Sequence, residues 1–388
     1  MKILICIVVS IVITVTFTFN VSAAENVTSD SESAKLTPAC ILFDVKSGKI
    51  LYEKNAETSV PVGVMNKLMT ILTAAEAVNS GKLSFDDTAV ASAAANSVKG
   101  ASVWLETGDE ITIGELFRAV IIGNANDAAI ALAEAVSGTE SKFLEAEKRI
   151  AEELGLESTI FTNVHGYENA EEQISTAADL AKIISALNRY ENDFLSEFFV
   201  TSLDYVRGDK AQLVNSNRLV RDYKGCIGYK YGTSKATGEC LAAAAERGSN
   251  TYGIVLLSFP DEDKMFEYAE KLLDAGFENF TSVKAQIPDD LPQSIKIRNG
   301  YTPEVNIKAA EGQEFTVRRN QAQNIEIKVI LPEYIYAPVF VNQKVGEIHY
   351  YIDNNFVYKI DIYADGAAEQ VNFKKNIVLF LQNIFSFD

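Results

Sequence analysis

The sequence predicts an α+β protein: helices bracketed by early and late antiparallel strands, followed by a small all-β region. Three observations predict it. Two apolar-rich runs, residues 39–45 and 50–54, are joined by Lys46-Ser47-Gly48-Lys49 and read as a β-hairpin near the start. Between Met65 and Leu187 apolar residues recur at helical spacing. From residue 294 the pattern changes to short runs of period two, broken by Gly, Pro and Asn. Elements in that order suit an α/β or α+β sandwich with an antiparallel sheet, not a doubly wound parallel one.

The elements follow in order. Met65, Leu68, Met69 and Leu72 repeat at i, i+3, i+4 and i+7, a helix that stops near Gly81. Thr112-Ile113-Gly114-Glu115 has the spacing of a capping box, and the apolar run behind it starts a second helix. Residues 127–136 are Ala-rich and closed by Gly138. Phe143, Ala146, Ile150 and Leu154 mark a helix ended by Gly155, and Leu180, Ile183, Ile184 and Leu187 one begun by Ser175-Thr176. Residues 226–233, 238–245 and 252–258 read as strands. The character shifts around 287–292, after which 305–308, 315–317, 325–330 and 358–362 alternate as strands do. The expected division is therefore 36–284 for the first domain and 287–366 for a β-rich second one.

Both ends carry signals of address. Lys2, the apolar run 3–19 and the small residues Val21-Ser22-Ala23 form an export signal over 1–24. The run is nearly long enough to span a bilayer, but its small-residue end favours cleavage over a retained anchor. Residues 25–35 are polar, Ser-rich and aperiodic, a flexible tether. In 370–388, Ile377, Phe380, Leu381, Ile384 and Phe385 share one helical face behind Lys374 and Lys375. Such a segment is too short to span a membrane and suits one lying on its surface, or packed on the protein itself.

A net charge of −18 over 388 residues speaks against nucleic acid, whose phosphates require a basic face. Past the signal, Cys40, Cys226 and Cys240 remain, an odd number with no CxxC spacing. No metal site and no cofactor is expected. Cys226 and Cys240 lie symmetrically about Thr233, open to pairing across a hairpin or to remaining free. The two histidines, His165 and His349, sit in no recognisable triad motif, and a structural hydrogen bond is the expected use of His165.

From about 39 to 364 the chain resembles the D-alanyl-D-alanine carboxypeptidases, the low-molecular-mass penicillin-binding proteins. The stretches that carry the resemblance are Asp44-Val45-Lys46-Ser47-Gly48-Lys49-Ile50-Leu51-Tyr52, residues 126–134 (Asn-Asp-Ala-Ala-Ile-Ala-Leu-Ala-Glu), Glu153-Leu154-Gly155-Leu156, His165-Gly166 and Ser175-Thr176-Ala177. Ala337-Pro338-Val339 and Val345-Gly346 extend it into the second part. It implies a β-lactamase/transpeptidase-like domain, with trimming of the terminal D-alanine of peptidoglycan stem peptides as the family chemistry.

That chemistry needs three elements, and this sequence departs at each. Ser-x-x-Lys puts an attacking hydroxyl and its lysine base on one face of a helix; here Val64 holds the serine's place and Lys67 remains. Ser-x-Asn becomes Asn124-Ala125-Asn126, keeping only Asn126. Lys-Thr-Gly, whose lysine and hydroxyl grip the substrate's carboxylate, becomes Lys230-Tyr231-Gly232, followed by Thr233. Tyr231 is expected to fill the groove as a strand aromatic. Asn126-Asp127 also has the simpler reading of a helix N-cap.

No serine stands three residues before any lysine, so the motif has not moved along the chain. Thr139-x-x-Lys142 and Thr281-x-x-Lys284 have the spacing in ordinary contexts, and Ser234 has nothing near it to activate it. Losing such a nucleophile costs on the order of a millionfold in turnover. The leading expectation is an envelope pseudoenzyme that binds or scaffolds peptidoglycan peptides. The alternatives are a working carboxypeptidase with an unorthodox nucleophile, and a purely structural partner of other wall enzymes.

Overall fold

The computed structural model describes residues 37–167, 172–190, 193–371 and 377. The expected signal, the tether and nearly all of the terminal amphipathic segment lie outside them. Among the described residues no helix is long and apolar enough to cross a membrane.

The hairpin expected at the start is present: β1 (Ala39–Asp44) and β2 (Ile50–Lys54) pair antiparallel around the Gly48 turn. The chain then passes through a short 3-10 turn (Gly63–Asn66) into α1 (Lys67–Asn79). The lobe continues with α2 (Ile113–Ile121), α3 (Asn126–Ser137), α4 (Glu140–Glu153), α5 (Ala177–Leu187) and α6 (Asp193–Val200). Thr112 and Glu115 form the capping box on α2. Gly138, with a φ of 80°, ends α3 in the left-handed conformation that glycine adopts without strain. Thr139 caps α4 and Thr176 caps α5 through their hydroxyls.

Three long strands, β3 (Cys226–Ser234), β4 (Gly238–Arg247) and β5 (Asn250–Phe259), return the chain to β1. They complete an antiparallel five-stranded sheet in the order β2-β1-β5-β4-β3. Helix α7 (Glu262–Asn279), capped by Asp261, then covers the face opposite the lobe. Both faces of the sheet are buried, so its central strands carry near-continuous apolar runs instead of a one-sided alternation. In β1, Ile41 and Phe43 enter the core shared with α1, α3 and α5, while Cys40 and Leu42 enter the core under α7.

Beyond α7 follow β6 (Phe280–Lys284), β7 (Ser294–Arg298), β8 (Glu304–Ala309), β9 (Glu314–Arg318), β10 (Ile325–Ile330), β11 (Tyr334–Tyr336), β12 (Lys344–Ile352) and β13 (Asn355–Ala364). Six form a sheet in the order β10-β12-β13-β8-β7-β11, and β6 pairs with β9. Its core gathers Ile295, Ile348, Tyr350, Ile362 and Ala364. A buried carboxylate joins the five-stranded sheet to the β6–β9 pair. Asp44, at the end of β1, accepts from the Ser47 amide and hydroxyl at 2.7 Å and from the Thr316 hydroxyl of β9.

Cys226 and Cys240 are free. The β3–β4 turn is centred beyond Thr233, between Ser234 and Gly238, so Cys240 pairs with Gly232 and Cys226 with Ala245. The symmetry seen in sequence is about the wrong residue, and pairing is excluded by register.

Candidate active site

The 3-10 turn and α1 form one wall of the site, the start of α3 a second, and β3 the third. Lys67 opens α1 and is fully buried. Its Nζ donates to Asn126 Oδ1 at 2.8 Å and to the His165 carbonyl at 2.5 Å. Among the described residues no carboxylate pairs with it, and loss of hydration lowers its pKa to about 7. The same loss, with the charge of Lys67, lowers His165 to about 4, and its Nδ1 accepts from the Tyr167 amide. Gly166 passes so close over the turn that a Cβ there would lie 2.2 Å from the Gly63 carbonyl oxygen, at a φ of +67°.

Asn126 is not an N-cap. Ala125 holds that position without a side-chain bond, and Asn126 is the first helical residue, 1% exposed. Its amide nitrogen Nδ2 donates to the Lys99 carbonyl at 2.6 Å, so both ends of the amide are used internally. Its neighbour Asp127 is a loop anchor, accepting from the Ser102 hydroxyl and the Val103 and Leu105 amides.

Lys230 faces the lobe from β3, 1% exposed, and donates to the Val120 and Ile121 carbonyls at 2.6 and 3.0 Å. These are end-of-helix carbonyls of α2, an attractive place for a cation. Burial, then the charge of Lys67, pushes its pKa well down. The amine is turned toward α2, away from solvent.

The expectation for Tyr231 is overturned. Its ring lies on the opposite face of the sheet, 5.4 Å from the ring of Phe266 in α7, and its hydroxyl bonds Glu239. Thr233 bonds the same carboxylate at 3.0 Å. Side chains alternate along a strand, so Lys230 and Gly232 point into the site while Tyr231 and Thr233 point away. Burial and the Glu239 carboxylate push the Tyr231 phenol up.

Val64 and Gly232 meet directly. A Cβ on Gly232 would lie 1.9 Å from Val64 Cγ2, so a valine methyl fills the space beside the strand. Asn124 has a φ of 55°, and its amide bridges the gap to β3, donating to the Tyr231 carbonyl at 3.2 Å and the Ser216 hydroxyl at 3.1 Å. Ser216 has no motif that would single it out in sequence. Glu147 is a second unforeseen group: buried behind α1, it accepts from Thr70, and burial raises its carboxyl to about 8. Ser234 is spent in the β3–β4 turn, bonded to Thr237. Two cavities elsewhere, of about 420 and 320 Å³, include none of Lys67, Asn126 or Lys230.

A family model described as D-alanyl-D-alanine carboxypeptidase matches residues 24–259. This chain belongs to that family. A second model, described as the C-terminal domain of penicillin-binding protein 5, matches residues 277–370. The chain is 32% identical over 344 residues to the D-alanyl-D-alanine carboxypeptidase DacC of Escherichia coli, covering 87% of this chain and 84% of that one. It is 29% identical over 337 residues to DacF of Bacillus subtilis, covering 86% of each. Penicillin-binding protein 5 from Haemophilus influenzae shares the fold, with a TM-score of 0.77 at 24% identity over 89% of this chain and 100% of that one.

Two measurements probe this arrangement. Gly232→Ala should cost about 1–3 kcal/mol by overpacking against Val64. Because the offending atom is a valine methyl, Val64→Ala should recover much of that cost in the double variant, read from urea midpoints. Lys67 gives a pH signature. Its pKa falls from 10.5 to about 7 on folding, so between those values the unfolded chain holds more protons. Stability therefore rises with pH across that window, the burial penalty being complete below 7, by at most about 5 kcal/mol. Between pH 7 and 9 the wild type should gain stability more steeply than Lys67→Met.

Proposed function

We propose that this protein is a carboxypeptidase-derived pseudoenzyme of the cell envelope, which binds or scaffolds peptidoglycan peptides, or the enzymes that act on them, without hydrolysing them. The observation that carries this reading is Val64, three residues before Lys67, with its methyl against Gly232 where family chemistry requires an oxygen. Valine has no lone pair to attack a carbonyl. The commitments of Asn126, Lys230 and Asn124 to internal partners point the same way. β3 is an edge strand that an extended peptide could join. Asn124 occupies one of its carbonyls, so peptide binding there requires that amide to swing aside.

The apolar amino-terminal run and the amphipathic carboxy-terminal stretch support an exported protein held at the outer face of the membrane. One observation favours a second reading, an enzyme with an unorthodox nucleophile: Lys67, lowered to about 7, has the proton affinity a general base needs. Both readings meet in one experiment. The mature protein is incubated with a fluorescent penicillin and analysed by intact-mass spectrometry after denaturation. The expected result is no adduct, and a stoichiometric mass gain defeats the pseudoenzyme reading. Val64→Ser in the same assay should yield at most slow acylation, because Asn124 stands where a short hydroxyl belongs and the Tyr231 ring, turned onto the other face of the sheet, supplies none. Full D-Ala-D-Ala turnover from that single change would mean the other two departures were overrated.

A further inference from the structure

The chain has a single tryptophan, Trp104, and it is 67% exposed on the loop between Gly100 and Glu106. A lone exposed aromatic is ordinary, but this one has a φ of 57°, a left-handed conformation that a bulky side chain adopts only when its surroundings force it. The forcing is visible. Asp127 holds the amides of Val103 and Leu105 on either side, at 3.1 and 3.0 Å, and the Trp104 amide donates to the Ser102 hydroxyl at 2.8 Å. Arg207 reaches across to donate to the Val103 carbonyl at 2.9 Å and to the Trp104 carbonyl, and pairs with Asp109. Val103 and Leu105 are buried, so the loop is pinned on both sides while the indole is held out to solvent.

The loop is also the outer lip of the Lys67–Asn126 site. Asn126 donates through Nδ2 to the Lys99 carbonyl and through its backbone to the Ala101 carbonyl. Tyr167, 50% exposed, lies against the same loop, its ring 2.9 Å from where a Cβ on Gly100 would be. Two exposed rings therefore flank the lip, with Lys99, Glu106 and Thr107 exposed around them. So small an apolar area is poorly matched to a protein partner, whose interface core must exclude water over a much larger patch. A rigid flat ring edged by polar groups suits a pyranose, whose C–H face stacks on the indole while hydroxyls and acetamido groups meet polar neighbours.

We propose that Trp104, with Tyr167, is a stacking platform for the N-acetylated aminosugar chain of the wall polymer. The site is distinct from the buried lysines and does not depend on whether they hold a ligand. The single tryptophan makes the test direct. The intact mature protein is titrated with a soluble N-acetylglucosamine tetramer, and separately with a sugar-free D-Ala-D-Ala peptide, while indole emission is recorded. A saturable change with the tetramer is expected, weakened up to about tenfold in Tyr167→Ala, where Trp104 still reports. No response through millimolar tetramer, or a response to the peptide alone, overturns the proposal. Trp104→Gly supplies a control that folds, since glycine relieves the left-handed strain. It should melt at a higher temperature and lose tetramer binding by calorimetry, and undiminished binding would overturn the proposal equally.

Discussion

The burial of the Lys67 ammonium, with no counter-charge among the described residues, is the constraint on which the rest of the site depends. An unpaired cation is costly away from water, and each acceptor its protons find offsets part of that cost. The structure supplies two from different parts of the chain: Asn126 Oδ1 at the start of α3 and the His165 carbonyl of the loop before α5. Those bonds fix three segments against one another. They also explain why Gly166 must be glycine, because the His165 carbonyl reaches Lys67 only if the loop lies almost on the Gly63 carbonyl. The price is a pKa near 7, which leaves much of the amine neutral in ordinary buffers.

Lys230 and Asn124 extend the same logic to β3. Each uses a polar side chain to satisfy backbone carbonyls across the cleft, of α2 for the lysine and of Tyr231 for the asparagine. Together with Val64 packed on Gly232, they convert a surface on which a family relative needs free donors and a hydroxyl into one that is satisfied from within. On the proposed reading, a protein without a nucleophile to keep reactive gains from closing such a gap, since satisfied buried polar groups stabilise the fold.

Much of this was legible residue by residue. The spacing of Val64 and Lys67 put both on one turn, the Thr112–Glu115 box appeared as written, and the three late strands fell within a residue or two of their expected limits. Helix α7 went unread, although Met265, Ala269, Leu272 and Leu273 repeat at helical spacing behind the Asp261 cap. The error at Tyr231 was avoidable, because a strand that turns Lys230 inward must turn its neighbour outward. The pairing of Cys226 and Cys240 was not so easily judged, since it depends on where the β3–β4 turn is centred.

The sequence alone determined the α+β order of elements, through period and spacing, and its matched stretches carried the resemblance to the family and the departures from its motifs. Only the tertiary structure decided what the remaining polar groups do. Whether Lys230 meets solvent or the end of α2, and whether Asn124 hangs free or bridges to β3, depends on residues about a hundred positions apart in the chain. No local pattern encodes that distance: it is fixed when the helical lobe packs on the sheet and each buried donor must find an acceptor.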